Sequence, residues 1–191
     1  MSRNRTIGLF SAIAAVFLLG AGIGIAQETA AKKSNEAAKN PSLDVRVLST
    51  IHATNAIEVE AGKLAQQKGQ SDTVRKLGDR IARDHLSSDK MVTDLAHKKK
   101  VELDPVKPQT DEEKQQHEKR VKMMEKLRNL QGSEFDSAFL KFMEEGHARS
   151  IEKLQASREK LQDGDVRDLV NKLLPILEQH RELAAHQEGH K

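Results

Sequence analysis

Cysteine, tryptophan and tyrosine are all missing from this 191-residue chain. Without cysteine there is no disulfide, no thiolate nucleophile, no iron–sulfur cluster and no lipid-modified cysteine behind an export signal. Aromatic rings are scarce as well. Of five phenylalanines only Phe135, Phe139 and Phe142 lie beyond the first 26 residues, too few for a surface that stacks on nucleic-acid bases. Charge of one sign is also lacking. Residues 1–26 hold Arg3 and Arg5 of the 32 basic residues and none of the 29 acids, so the remainder is almost neutral. The pI of 9.0 is therefore no nucleic-acid footprint, and no such partner is expected. The sequence names no protein partner. No alternating strand pattern and no internal repeat competes with helical periodicity.

What is present begins with a signal-like segment. Arg3 and Arg5 precede an uncharged run from Ile7 to Ile25, and Gly24 and Ala26 supply the small residues before a cut ahead of Gln27. Residues 1–26 are read as a signal peptide, so the protein is expected to be exported, to the periplasm or cell envelope, with no membrane attachment after cleavage. The run approaches the ~20 apolar residues that span a bilayer, and an uncleaved N-terminal anchor is the alternative. Residues 27–41 read as a polar linker, 42–186 as one domain and 187–191 as a frayed tail.

Within the domain, apolar residues recur at spacings of three and four. A first long helix is expected from Leu43 to Lys68, with Ser42 as N-cap and Gly69 as stop. The second is capped by Ser71, carries Val74, Leu77, Ile81, His85, Ser88, Val92 and Leu95 on one face, and ends in Lys98-Lys99-Lys100, which suits the negative end of the helix dipole. Pro105 and Pro108 break the pattern. Thr110 with Glu113 reads as a capping box opening a polar helix that ends near Leu130 and lies outside the bundle. Ser133 is expected to cap the third long helix, and Asp163-Gly164-Asp165 to turn into a fourth, kinked by Pro175. Four long helices with two tight hairpins and one long middle connection make an all-α bundle.

Polar residues interrupt the apolar faces at one level. His52, Asn55 and Glu58 fall within about a third of the first helix's circumference, and each long helix puts one histidine on its stripe: His52, His85, His147 and His180. Counted from the hairpin tips at 1.5 Å per residue, Asn55, His85, His147 and His180 lie ~23–25 Å along helices of about 27 residues. The levels of the two hairpins then differ by only ~6 Å if they point in opposite directions. The candidate metal ligands are thus His52, Glu58, His85, His147 and His180, with Asn55, Asp84 and Glu144 placed to orient the rings. Glu144-x-x-His147 has the step used in carboxylate-bridged di-iron bundles, but no second such pair exists. A His-dominated set suits a divalent zinc or copper ion better than a di-iron centre, with iron the remaining option. A hydrogen-bonded polar layer without any ligand, structural or pH-responsive, is the competing reading. Hydrolase chemistry has no supporting constellation, and the balance favours a non-enzymatic protein.

His52-x-x-Asn55-x-x-Glu58-x-x-x-Gly62-Lys-Leu-Ala65, Asp84-His85, Gly132-x-x-Phe135-Asp136, His147 and Leu174-Pro175 followed by His180 together resemble the exported bacterial family known as domain of unknown function 4142. The resemblance runs from about Ser42 to His186. It implies a ferritin-like four-helix bundle in which the second and third long helices run parallel, joined by a long helical crossover over Val101 to Gln131. It implies export too, and carries no established activity.

Overall fold

The computed structural model describes residues 41–188. The expected signal peptide, the linker up to residue 40 and the last three residues lie outside them. Five helices follow one another: α1 (Leu43–Lys68), α2 (Asp72–Lys99), α3 (Asp111–Asn129), α4 (Gly132–Arg158) and α5 (Gly164–Glu188). No strand occurs among the described residues, and no helix there is long and apolar enough to cross a membrane.

The caps explain where the helices begin. Ser42 and Ser71 accept from the backbone N–H groups of Val45 and Val74, and Thr110 with Glu113 forms the reciprocal capping box. Ser133 makes no cap. Gly132 takes φ +60°, Gln131 becomes the N-cap residue without a side-chain bond, and the chain enters α4 two residues earlier than the serine suggests. Asp163 caps α5 by accepting from Asp165 N (2.9 Å) and Val166 N (3.3 Å). That helix continues through Pro175 and through Gln187 and Glu188, two of the residues expected to fray.

The α1–α2 and α4–α5 hairpins pack as oppositely directed pairs. The start of α1 meets the far end of α4, where Asp44 Oδ1 accepts from Gln162 N (3.1 Å) and Asp163 N (2.9 Å). At the other end Asp136 of α4 accepts from Gln70 N and Ser71 N, both at 2.9 Å, at the tip of the first hairpin. Hence α2 and α4 run parallel. The crossover between them carries α3 along α1, through Arg46–Glu113 near its start and Arg128–Glu60 near its end. This is a four-helix bundle with a helical crossover, compatible with the ferritin-like arrangement. Met124 and Leu127 are buried, so α3 lies more deeply than a helix with one thin apolar edge suggests, while Val121 is exposed.

Between α1 and α2 the backbones touch. A Cβ on Gly62 would stand 2.5 Å from Gly78 O, and one on Gly78 would stand 2.5 Å from Ala65 Cβ and 2.7 Å from Gly62 O. Only glycine permits that approach. The core comes in two blocks. One, at the Asp44 end, gathers Leu48, Ile51, Val92, Ile151, Leu154, Leu173 and Leu177; the other, at the Asp136 end, holds Ala65, Leu77, Ile81, Phe135, Phe139 and Phe142. Between the blocks lies a polar layer of Asn55, Glu58, His85, Ser88, His147 and His180, all buried.

Candidate metal centre

Buried polar groups are costly unless partnered, so the polar layer can be read bond by bond. His147 Nδ1 lies 2.7 Å from the carbonyl oxygen of Met143, one turn earlier in α4. A carbonyl only accepts, so Nδ1 carries the proton and Nε2 is bare. His180 Nε2 lies 2.9 Å from Asp84 Oδ2, and the carboxylate likewise fixes the proton on Nε2 and leaves Nδ1 bare. His85 Nδ1 lies 2.9 Å from Asn55 Oδ1, while Asn55 Nδ2 donates to Ser88 Oγ at 3.1 Å. That orientation of the amide makes His85 Nδ1 the donor and its Nε2 bare.

Three lone pairs therefore face one another. His147 Nε2 is 3.2 Å from His180 Nδ1 and 3.4 Å from His85 Nε2, and all three nitrogens lie within 4.8 Å of each other. Extra protons are disfavoured. Burial, with the neighbouring imidazoles adding to it, pushes His85 down to about 2; burial, then His180, pushes His147 down to about 3. His180 is also lowered by burial, despite the opposing pull of Asp84. Two imidazole nitrogens about 2.0–2.1 Å from a tetrahedral ion stand about 3.3 Å apart, so the two measured separations fit such a ligand set. The three buried histidines could hold one metal ion.

The other candidates divide. His52 does not join the cluster: three residues back from Asn55, it is turned about 60° away and pairs with Asp89 Oδ1 at 2.7 Å on the half-exposed flank of α2. Glu58 is buried but outside the imidazole trio; its Oε2 has no hydrogen-bond partner, and desolvation, offset in part by Arg120, raises its pKa to about 8. Asp84 orients the ring of His180 rather than that of its neighbour His85. Glu144 is only half-buried, and the carbonyl of Met143 does the orienting of His147 instead. A cavity of about 140 Å³ reaches His85 and His147, and Arg120 of α3 lines it. Arg120 precedes Met124 by four residues and Leu127 by seven, so the inward stripe of α3 was the signal that would have pointed to it.

A family profile described as Domain of unknown function (DUF4142) matches residues 28–186. The chain belongs to that family. The fold of this DUF4142 domain has a counterpart in the crystal structure of a DUF305 protein from Streptomyces coelicolor, described as secreted. The two share 19% identity and a TM-score of 0.59 over 76% of this chain and 91% of the other. No curated protein matches the sequence. At that identity the likeness concerns the fold alone.

Proposed function

We propose that this protein is an exported, non-enzymatic helical-bundle protein that binds one imidazole-preferring divalent ion, zinc or copper, through His85, His147 and His180. The observation that carries the reading is the set of three bare nitrogens at 3.2 and 3.4 Å, each backed by an acceptor on the far side of its ring. Outer partners of that kind fix tautomer and orientation in metal sites, and neutral imidazole is a ligand shared by zinc and copper. A purely structural polar layer is the other reading. It requires a proton between His147 Nε2 and a neighbour, and for His180 that means giving up the bond to Asp84. Export is part of the proposal and is supported by the basic residues, apolar run and small residues of positions 1–26. Residues 27–41 then form the tether and 42–186 the bundle domain.

The test is elemental analysis of untagged protein after exposure to each divalent metal. About one equivalent of zinc or copper is expected, and none in His147→Ala. Less than about a tenth of an equivalent in the parent protein with every metal sinks the proposal.

A further inference from the structure

The cavity beside the imidazoles is larger than an ion needs. One water takes roughly 10–15 Å³, and an engineered apolar cavity of roughly 150 Å³ accepts benzene; this one measures about 140 Å³. Much of its wall is apolar, with Ile51, Phe142, Leu154, Leu173 and Leu177 all buried. Two polar groups interrupt that wall without adequate partners. Glu58 is 5% exposed and its Oε2 has no hydrogen bond, although it lines a space wide enough to supply one. Arg120 is half-buried, and its one side-chain hydrogen bond among the described residues is a long one, 3.4 Å to Thr54 Oγ1.

The charge balance at the wall points to the occupant. Arg120, Arg149 and Lys153 all line the cavity. Arg149 has Glu145 at 3.5 Å, whereas Arg120 lies in no salt bridge among the described residues. Glu58 is the acid whose field Arg120 feels most, and burial keeps that acid protonated at neutral pH. The wall thus offers an unpaired guanidinium and a carboxyl able to donate, with an apolar space beside them. An anion with two acceptor oxygens and a small apolar body satisfies both groups together.

We propose that this cavity binds a small monocarboxylate of about benzoate size, its carboxylate between Arg120 and Glu58 and its apolar body against Phe142, Leu154 and Leu177. The site goes beyond the metal reading and does not require an ion.

Calorimetric titration of the metal-free full chain with sodium benzoate, and with benzamide as its neutral counterpart, tests this. Benzoate is expected to bind saturably at one site, and benzamide at least about tenfold more weakly, having lost the charge-assisted bond. Arg120→Met changes a half-exposed position of α3 that lies in no salt bridge among the described residues, with circular dichroism checking the fold; it should weaken benzoate about tenfold and leave benzamide unchanged. Absence of saturable benzoate binding, equal affinity for benzamide, or unaltered benzoate binding by Arg120→Met each overturns the proposal. The two readings fail separately. Protein that takes up metal but no benzoate refutes the carboxylate site alone, and protein that binds benzoate but no metal leaves it standing.

Discussion

Asp84→Asn is the most informative single substitution for the metal centre. Asp84 Oδ2 holds the Nε2 proton of His180 at 2.9 Å, which points a bare Nδ1 at His147 Nε2, 3.2 Å away. Asparagine keeps the shape and can still present an oxygen, so the ring's orientation survives while the negative charge behind it is lost. Removing the outer partner of a metal-bound histidine generally costs 10–100-fold in affinity. The side chain of Asp84 is 35% exposed, so solvent already screens part of its charge. The lower end therefore applies: about tenfold, or about 1.4 kcal/mol. Asp84→Ala, which removes the acceptor altogether, should fall nearer a hundredfold. Competition titration against a chelator of known affinity measures both, with circular dichroism confirming the helical fold. Affinity for Asp84→Asn and Asp84→Ala within a factor of two of the parent, with His147→Ala abolishing binding, would show that Asp84 does not set the ring of His180 and that the tautomer argument is mistaken.

Other consequences can be checked alongside. His52→Gln should leave metal affinity unchanged in the same titration, because His52 is paired with Asp89 outside the trio. Asp136→Ala removes the buried acceptor of the Gln70 and Ser71 N–H groups, which lie on exposed residues where water can replace part of it, and should cost about 1–2 kcal/mol in urea unfolding. Gly62→Ala should destabilise by about 1–3 kcal/mol, although helix propensity alone predicts a gain of about 1 kcal/mol, because the new methyl meets Gly78 O at 2.5 Å. For pH the sign follows from which state binds more protons. His85 and His147 stay neutral in the fold while the unfolded chain protonates below about 6.5, so metal-free stability falls as pH drops through 6.5 toward 3, by roughly 1.4 kcal/mol per unit for each of these two, and the lowered His180 acts in the same direction. Glu58, raised to about 8, acts in the opposite sense: the fold retains its proton while the unfolded chain releases it, so stability declines from 4.5 up to about 8. With three groups against one, urea midpoints measured across pH should peak near neutrality.

The helices were readable because their information is local. Spacings of three and four, the caps Ser42 and Ser71 and the Thr110–Glu113 box need nothing from the rest of the chain. The level of the polar layer was readable too, since helical rise is constant and the hairpin tips give two origins. What sequence could not fix was rotation about each helix axis. An offset of about 60° separates Asn55, inside, from His52, on the flank. Partners from other helices were equally hidden: Asp84 lies next to His85 in sequence but faces His180 on α5. Ser133 failed as a cap because Gly132 adopts a left-handed conformation that a serine-cap pattern does not foresee. Arg120 was overlooked because α3 carries so little apolar surface that its inward face was faint.

The two aspartates at opposite ends of the bundle make the halves mutually dependent. Asp44, near the start of the domain, secures a turn at 162–163, while Asp136, late in the chain, secures one at 70–71. A chain emerging from its N-terminus can wind the first pair of rods early, yet their bend keeps two bare amides until some sixty-five further residues have arrived. Neither half satisfies the polar groups of its own turn, so each is completed only by docking on the other.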